Sequence, residues 1–241
     1  LGRSHSCAIL DDDSIMCWGD NAYGQLGDGT NTNSNTPVAV SLPAGRTATA
    51  LAAGGYHSCT ILDDGSIMCW GYNIYGQLGD GTTTNSNTPV AVSLPAGRTA
   101  TALALGSLHS CVILDDASTM CWGYNNYGSL GDGTGLNSNT PVAVNLPAGR
   151  TATALDLGYY HSCAILDDAS TMCWGDNQYG GLGDGTTNNN YNPVTVNLPA
   201  GRTATALAVS GYHSCAILDN DAISCWGKGD KGQLGNGQTF D

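Results

Sequence analysis

With 241 residues the chain has room for one large domain or two ordinary ones; 34 of its residues are Gly, one is Phe, and only 11% are charged. Twenty Asp and Glu against seven Lys and Arg give a formal charge of −13, the wrong sign for wrapping a phosphate backbone or adhering to an anionic lipid surface. No apolar run approaches the roughly 20 residues of a membrane-spanning helix, so neither nucleic acid nor membrane insertion is expected.

In chain order, the first element is a motif that returns four more times. Cys7 and Cys17 stand ten positions apart, as do Cys59 and Cys69, Cys111 and Cys121, Cys163 and Cys173, and Cys215 and Cys225; successive first cysteines are 52 residues apart. A fixed period of this size signals a solenoid, propeller or array whose units bury their apolar faces against neighbours. Near-identical units are also a poor source of the mixed residue set that a catalytic centre needs. No linker interrupts the period, so residues 1–241 read as a single repeat domain with hairpins near 5–19, 57–71, 109–123, 161–175 and 213–227. Five HSC…CWG units accompany only four PV(A/T)V and four TATALA segments, and the sequence is expected to be a piece of a longer chain.

The second repeat shows the local physics. His57 to Leu62 and Ser66 to Trp70 are β-favouring runs flanking the turn signature Asp63-Asp64-Gly65, which predicts a hairpin. Pairing symmetric about Asp64 sets Cys59 opposite Cys69, at the separation a cross-strand disulfide needs. Cys59 and Ile61 fall on one face and Leu62, Met68 and Trp70 on the other, a pattern of burial on both sides. Pro89 to Leu94 and Thr99 to Ala104 predict two further strands joined by a Pro95-Ala96-Gly97 turn. Four short strands per repeat and no helical period point to an all-β fold, a β-propeller of about five four-stranded blades, possibly part of a larger ring or array.

The string A-x-G-x-x-H-S-C-x-I-L-D-D-x-S-x-M-C-W-G-x-N-x-Y-G-x-L-G-D-G-T runs nearly intact through the repeats from Gly54 to Thr186 and beyond. It resembles the repeat of the regulator-of-chromosome-condensation family, and the resemblance covers the whole chain. That family implies a β-propeller, usually of seven blades. Its nuclear members exchange guanine nucleotide on a small GTPase and sit on chromatin, whereas paired cysteines and scarce basic residues make this chain more similar in character to the secreted bacterial members. One of those inhibits a β-lactamase through loops at one end of its propeller.

Five pairs with no odd cysteine imply disulfides formed in an oxidising compartment, hence an extracellular or cell-surface location. His57, Cys59 and Cys69 also form a set of soft metal ligands, but no fourth ligand accompanies them, and no metal or other cofactor is expected. The histidines His5, His57, His109, His161 and His213 read as structural, bonding backbone groups between blades. The Ser that follows each one points to the opposite face and cannot pair with it for catalysis. The tryptophans read as blade-to-blade packing and the Asp-Asp turns as solvated rather than calcium-binding. The Gly-x-Leu-Gly-Asp-Gly-Thr loops lack the Lys and helix of a phosphate loop, their glycines serving positive-φ turns.

Positions that differ between repeats are where recognition is expected, because identical positions serve the common scaffold. They fall after each Trp-Gly, just before each His, and in the Asn/Thr tract from Asn31 to Asn35 and its counterparts. If the first two sets share one end of the propeller, Tyr56, Tyr72, Tyr124, Tyr159, Tyr160 and Tyr212 form an aromatic surface suited to a protein or a glycan. The expected function is therefore a non-catalytic extracellular or cell-surface interaction module. The alternative is a structural repeat of a large surface protein, adhesin or filament, with self-association through exposed edges.

Overall fold

A computed structural model of the chain describes residues 1–239, over which it forms eighteen β-strands and no helix. The strands fall into four kinds. The TATALA segments form β4 (Ala48–Ala53), β8 (Ala100–Leu105), β12 (Ala152–Leu157) and β16 (Ala204–Val209). The HSC segments form β1 (His5–Ile9), β5 (His57–Leu62), β9 (His109–Leu114), β13 (His161–Leu166) and β17 (His213–Leu218). The CWG segments form β2 (Ile15–Gly19), β6 (Ile67–Gly71), β10 (Thr119–Gly123), β14 (Thr171–Gly175) and β18 (Ile223–Gly227). The fourth kind is β3 (Ser34–Ala39), β7 (Ser86–Ala91), β11 (Ser138–Ala143) and β15 (Asn190–Thr195).

Each full sheet is an antiparallel meander in which the TATALA strand is first and the fourth kind last, as in β4-β5-β6-β7. The first strands of successive sheets pack side by side, which makes them the inner strands of a β-propeller. Glycine permits that convergence: a Cβ on Gly54 would lie 2.4 Å from the carbonyl oxygen of Gly106 in the next blade. Among the described residues three sheets have the expected four strands, and the first (β1-β2-β3) and last (β16-β17-β18) comprise three of the four kinds each.

The hairpin register is as the spacing predicts. Cys59 faces Cys69 and Ile61 faces Ile67, and all five cysteine pairs are disulfide-bonded with Cα atoms 4.1 Å apart. Asp64 closes the turn by accepting from the Ser66 amide at 3.0 Å and hydroxyl at 2.6 Å, and Arg46 pairs with it. Two expectations for the remaining strands need correction. β7 starts at Ser86, three residues before Pro89, because a bulge between Cys69 and Gly71 lets the strand reach back to pair Ser86 with Gly71. Pro89 is tolerated there because β7 is an edge strand. The Pro95-Ala96-Gly97 loop does not return the chain into the same sheet; it carries it from the outer strand of one blade to the inner strand of the next.

The core lies between blades, and one joint recurs four times. The face bearing Cys59, Ile61, Ile67 and Cys69 packs on Val112, Leu114 and Trp122 of the next blade. Trp122 is fully buried and donates from Nε1 to the Gln77 carbonyl at 2.9 Å, against Gly79, where a Cβ would lie 2.7 Å from that nitrogen. The same carbonyl accepts from the Ser110 hydroxyl at 2.9 Å, and Ser110 Oγ in turn sits 2.8 Å from His57 Nε2. The histidines therefore bond a side chain of the following blade, not backbone as expected. The adjacent Ser does point to the opposite face, where it meets the His of the preceding blade. His5–Ser58, His109–Ser162 and His161–Ser214 repeat the contact at 2.8 to 2.9 Å. In the last described hairpin Ile217 and Ile223 are 45% and 73% exposed, against 7% for Ile165 and 1% for Ile67 inside the joints.

Candidate functional site

The strands fix which loops meet. β5 begins and β6 ends at the same edge of the sheet, so the residue before each His lies beside the residue after each Trp-Gly, and a backbone bond joins them. The Tyr72 amide donates to the Tyr56 carbonyl at 3.0 Å, and Tyr124 to Leu108 likewise. The two variable sets thus share one end of the propeller, opposite the Asp-Asp turns. The third does not join them: in the Asn/Thr tract Asn87 and Asn139 reach to Gly29 and Gly81 of the preceding blade and tie blades together.

The loop that follows Trp-Gly is pinned from within by a buried asparagine. Asn73 accepts the Leu78 amide at 2.9 Å and donates to the Thr84 carbonyl at 3.0 Å, while the Asn73 backbone amide donates to Asn85 Oδ1 at 2.7 Å. Asp80 binds the Thr82 amide and hydroxyl at 2.9 Å, holding the glycine-rich turn. The Tyr75 amide donates to Gln77 Oε1 at 3.0 Å. The side chains that project from this loop consequently stand on a rigid base.

Those side chains are rings. Tyr56, Tyr72, Tyr124, Tyr159, Tyr160 and Tyr212 gather at the propeller end, joined by four that the sequence reading leaves out: Tyr23, Tyr75, Tyr127 and Tyr179. Contacts with centroids 4.7 to 6.4 Å apart link all ten into one continuous set, from Tyr23 on Tyr72 through Tyr75 on Tyr124 to Tyr159 and Tyr179 on Tyr212. The chain has eleven tyrosines, and only Tyr191 stands apart, its hydroxyl toward the Asn126 carbonyl. The four additional rings occupy the Asn-x-Tyr-Gly position, which is the same in four repeats and so resembles scaffold. The usable signal is that each lies three residues after the variable position of its own loop.

Seven of the rings, all but Tyr124, Tyr127 and Tyr179, line a concavity of about 420 Å³ that includes Arg3, Ser107 and Leu108 and opens beside a second, of about 340 Å³, between the ends of the inner strands. Partial burial among neighbouring rings raises the hydroxyl pKa of Tyr72, Tyr160 and Tyr212 and pushes Tyr124 up to about 12, so these four rings stay neutral. Two cations sit at the rim: Arg3 over Tyr56 at 5.5 Å, and Lys228 over Tyr179 at 4.8 Å and Tyr212 at 5.6 Å. The atoms of the soft-ligand set do not converge, with Cys59 bonded to Cys69 and His57 engaged by Ser110.

A repeated propeller with a preorganised aromatic end has the form of a binding domain. The profile of the RCC1-like domain matches residues 1–241, and the chain belongs to that family, whose propellers serve mainly as protein-interaction and regulatory modules. It is 28% identical over 240 residues to the ultraviolet-B receptor UVR8 of Arabidopsis thaliana, covering 100% of this chain and 54% of that protein. Human WBSCR16 superposes with a TM-score of 0.88 at 22% identity, covering 100% of this chain and 63% of that one. Prp20p of Saccharomyces cerevisiae superposes with a TM-score of 0.80 at 23% identity over 95% of this chain and 56% of that one. The chain thus spans little more than half the length of these relatives.

Proposed function

We propose that the chain is a non-catalytic module that binds a protein partner at the tyrosine end of the propeller, outside the cytoplasm. The observation that carries this reading is the set of ten contacting rings on a hydrogen-bonded base, open to solvent at one end of the fold. Tyrosine offers a large, rigid contact at low entropic cost and is enriched among residues that dominate binding energy. The structure of Prp20p was described with its binding properties to Gsp1p and histones, which supports a protein over a glycan as the class of partner. Five disulfides and no free cysteine support folding in an oxidising compartment.

The test is to screen the immobilised chain against extracellular proteins and against a glycan array, then to compare Tyr72→Ala/Tyr124→Ala with Tyr191→Ala. The double variant should weaken the partner at least about tenfold and Tyr191→Ala should leave it unchanged. A partner indifferent to the double variant, or binding to glycans alone, would sink the proposal.

A further inference from the structure

We infer that the tyrosine basin selects lysine and arginine side chains, so that the partner segment entering it is basic; this rests on the basin being the protein-binding surface proposed above. The chain itself shows the mode. Of its seven basic residues, Arg46, Arg98, Arg150 and Arg202 pair with turn aspartates at the opposite end of the sheets, and the largely exposed Lys231 lies near Asp230. The other two, Arg3 and Lys228, both lie on rings of the set, Arg3 also donating to the Tyr56 hydroxyl and Lys228 also pairing with Asp230 at 3.6 Å.

They occupy the two ends of the ring set, in the first and fifth repeats. Between them Tyr72, Tyr75, Tyr124, Tyr127 and Tyr160 carry no cation. The positions equivalent to Arg3 are Gly55, Ser107, Tyr159 and Gly211, and those equivalent to Lys228 are Asp20, Tyr72, Tyr124 and Asp176. The middle of the basin therefore repeats the ring arrangement of its ends with the cation left for a ligand to supply. A cation over neutral tyrosine faces gains from the ring quadrupole, and phenolic oxygens accept from its N–H groups. The long-range field agrees in sign. A formal charge of −13 attracts a basic segment and repels an acidic one, and Asp20 and Asp176 sit in the basin loops themselves.

The probe is a short peptide of alternating Arg, Lys and Gly, titrated at about 150 mM salt beside a twin in which citrulline and acetyl-lysine replace the charged residues. The charged peptide should bind and the neutral twin bind at least about tenfold more weakly. Tyr72→Phe/Tyr124→Phe, which keeps the ring faces, should bind within about threefold of the parent, while Tyr72→Leu/Tyr124→Leu, which keeps only apolar bulk, should lose about tenfold. Arg3→Ala/Lys228→Ala should bind more tightly, because rings are vacated and negative charge increases. Equal binding of the neutral twin overturns the inference, as does binding of the charged peptide that the Leu variant leaves intact, since diffuse charge attraction would then account for it. A natural partner that needs Tyr72 and Tyr124 but enters through a neutral or acidic segment overturns this inference while the proposed function stands. A partner indifferent to every tyrosine variant overturns both.

Discussion

Acidification from pH 6.5 to about 4 is expected to unfold the protein, because four histidines are held neutral inside the joints. Burial, the largest cause in each case, lowers His57 and His109 to about 3 and His5 and His161 to about 4. The hydrogen-bond chain explains why a proton is unwelcome. Ser110 gives its hydrogen to the Gln77 carbonyl and must receive one from His57 Nε2, which fixes the neutral ring with Nδ1 bare. The Nδ1 atoms of His5, His57 and His109 are buried without a partner, so a second N–H would find no acceptor.

An unfolded histidine titrates near 6.5, so between there and about 4 the unfolded chain binds more protons than the folded one. The contribution is complete above pH 6.5 and is lost as pH falls toward the folded values. Each group removes roughly 1.4 kcal/mol per pH unit in that window, and four together about 5 kcal/mol, so two units exhaust the stability of an ordinary domain. Asp156 and Asp176, raised by burial, act in the opposite sense over the lower part of the window. Denaturant midpoints from pH 7.5 to 4.5 measure the slope. His109→Gln should lower stability at pH 7.5 yet flatten the slope by about a quarter; a midpoint that does not move down to pH 4.5 would refute the assignment.

The pairing of the cysteines was legible because it depends on one turn and one register, both local. Sheet membership was not. Pro89 to Leu94 reads as half of a hairpin with Thr99 to Ala104 until the crossing between blades is seen, and only the tertiary arrangement makes that crossing. The bulge after Cys69 likewise leaves no mark that separates Ser86 from the polar tract before it. The histidines were correctly read as joining blades, but their partner is a serine 53 positions on, and a contact between repeats cannot be recovered from alternation within one strand. The ring-lined end was half legible. Variation between repeats located the loops and six of the rings, whereas Tyr23, Tyr75, Tyr127 and Tyr179 were hidden by the rule that identical positions are scaffold. They are both: their loop is held by Asn73 and its equivalents, and their rings belong to the contacting set, Tyr23 and Tyr75 lining the basin itself.

Replacing Trp122 by Ala is expected to remove about 3–5 kcal/mol and to divide the unfolding transition. The side chain is wholly buried between the second and third blades, packed with Leu78, Val92 and the Cys59–Cys69 hairpin, and its loss also leaves the Gln77 carbonyl with the Ser110 hydroxyl as its remaining donor. In a stacked array each unit touches only its neighbours, so weakening one central joint lowers the coupling between the blades on either side of it. The first two blades should then melt apart from the last three, giving two fluorescence transitions in denaturant and amide exchange that rises first from 1 to 91. Trp18→Ala makes the contrast, for Trp18 is half-buried on the open flank of the first blade. There the cost should be about 1 kcal/mol with cooperativity intact, the value expected of partial burial alone. Equal losses from the two tryptophans would show that the joints between blades are not where the stability of the fold resides.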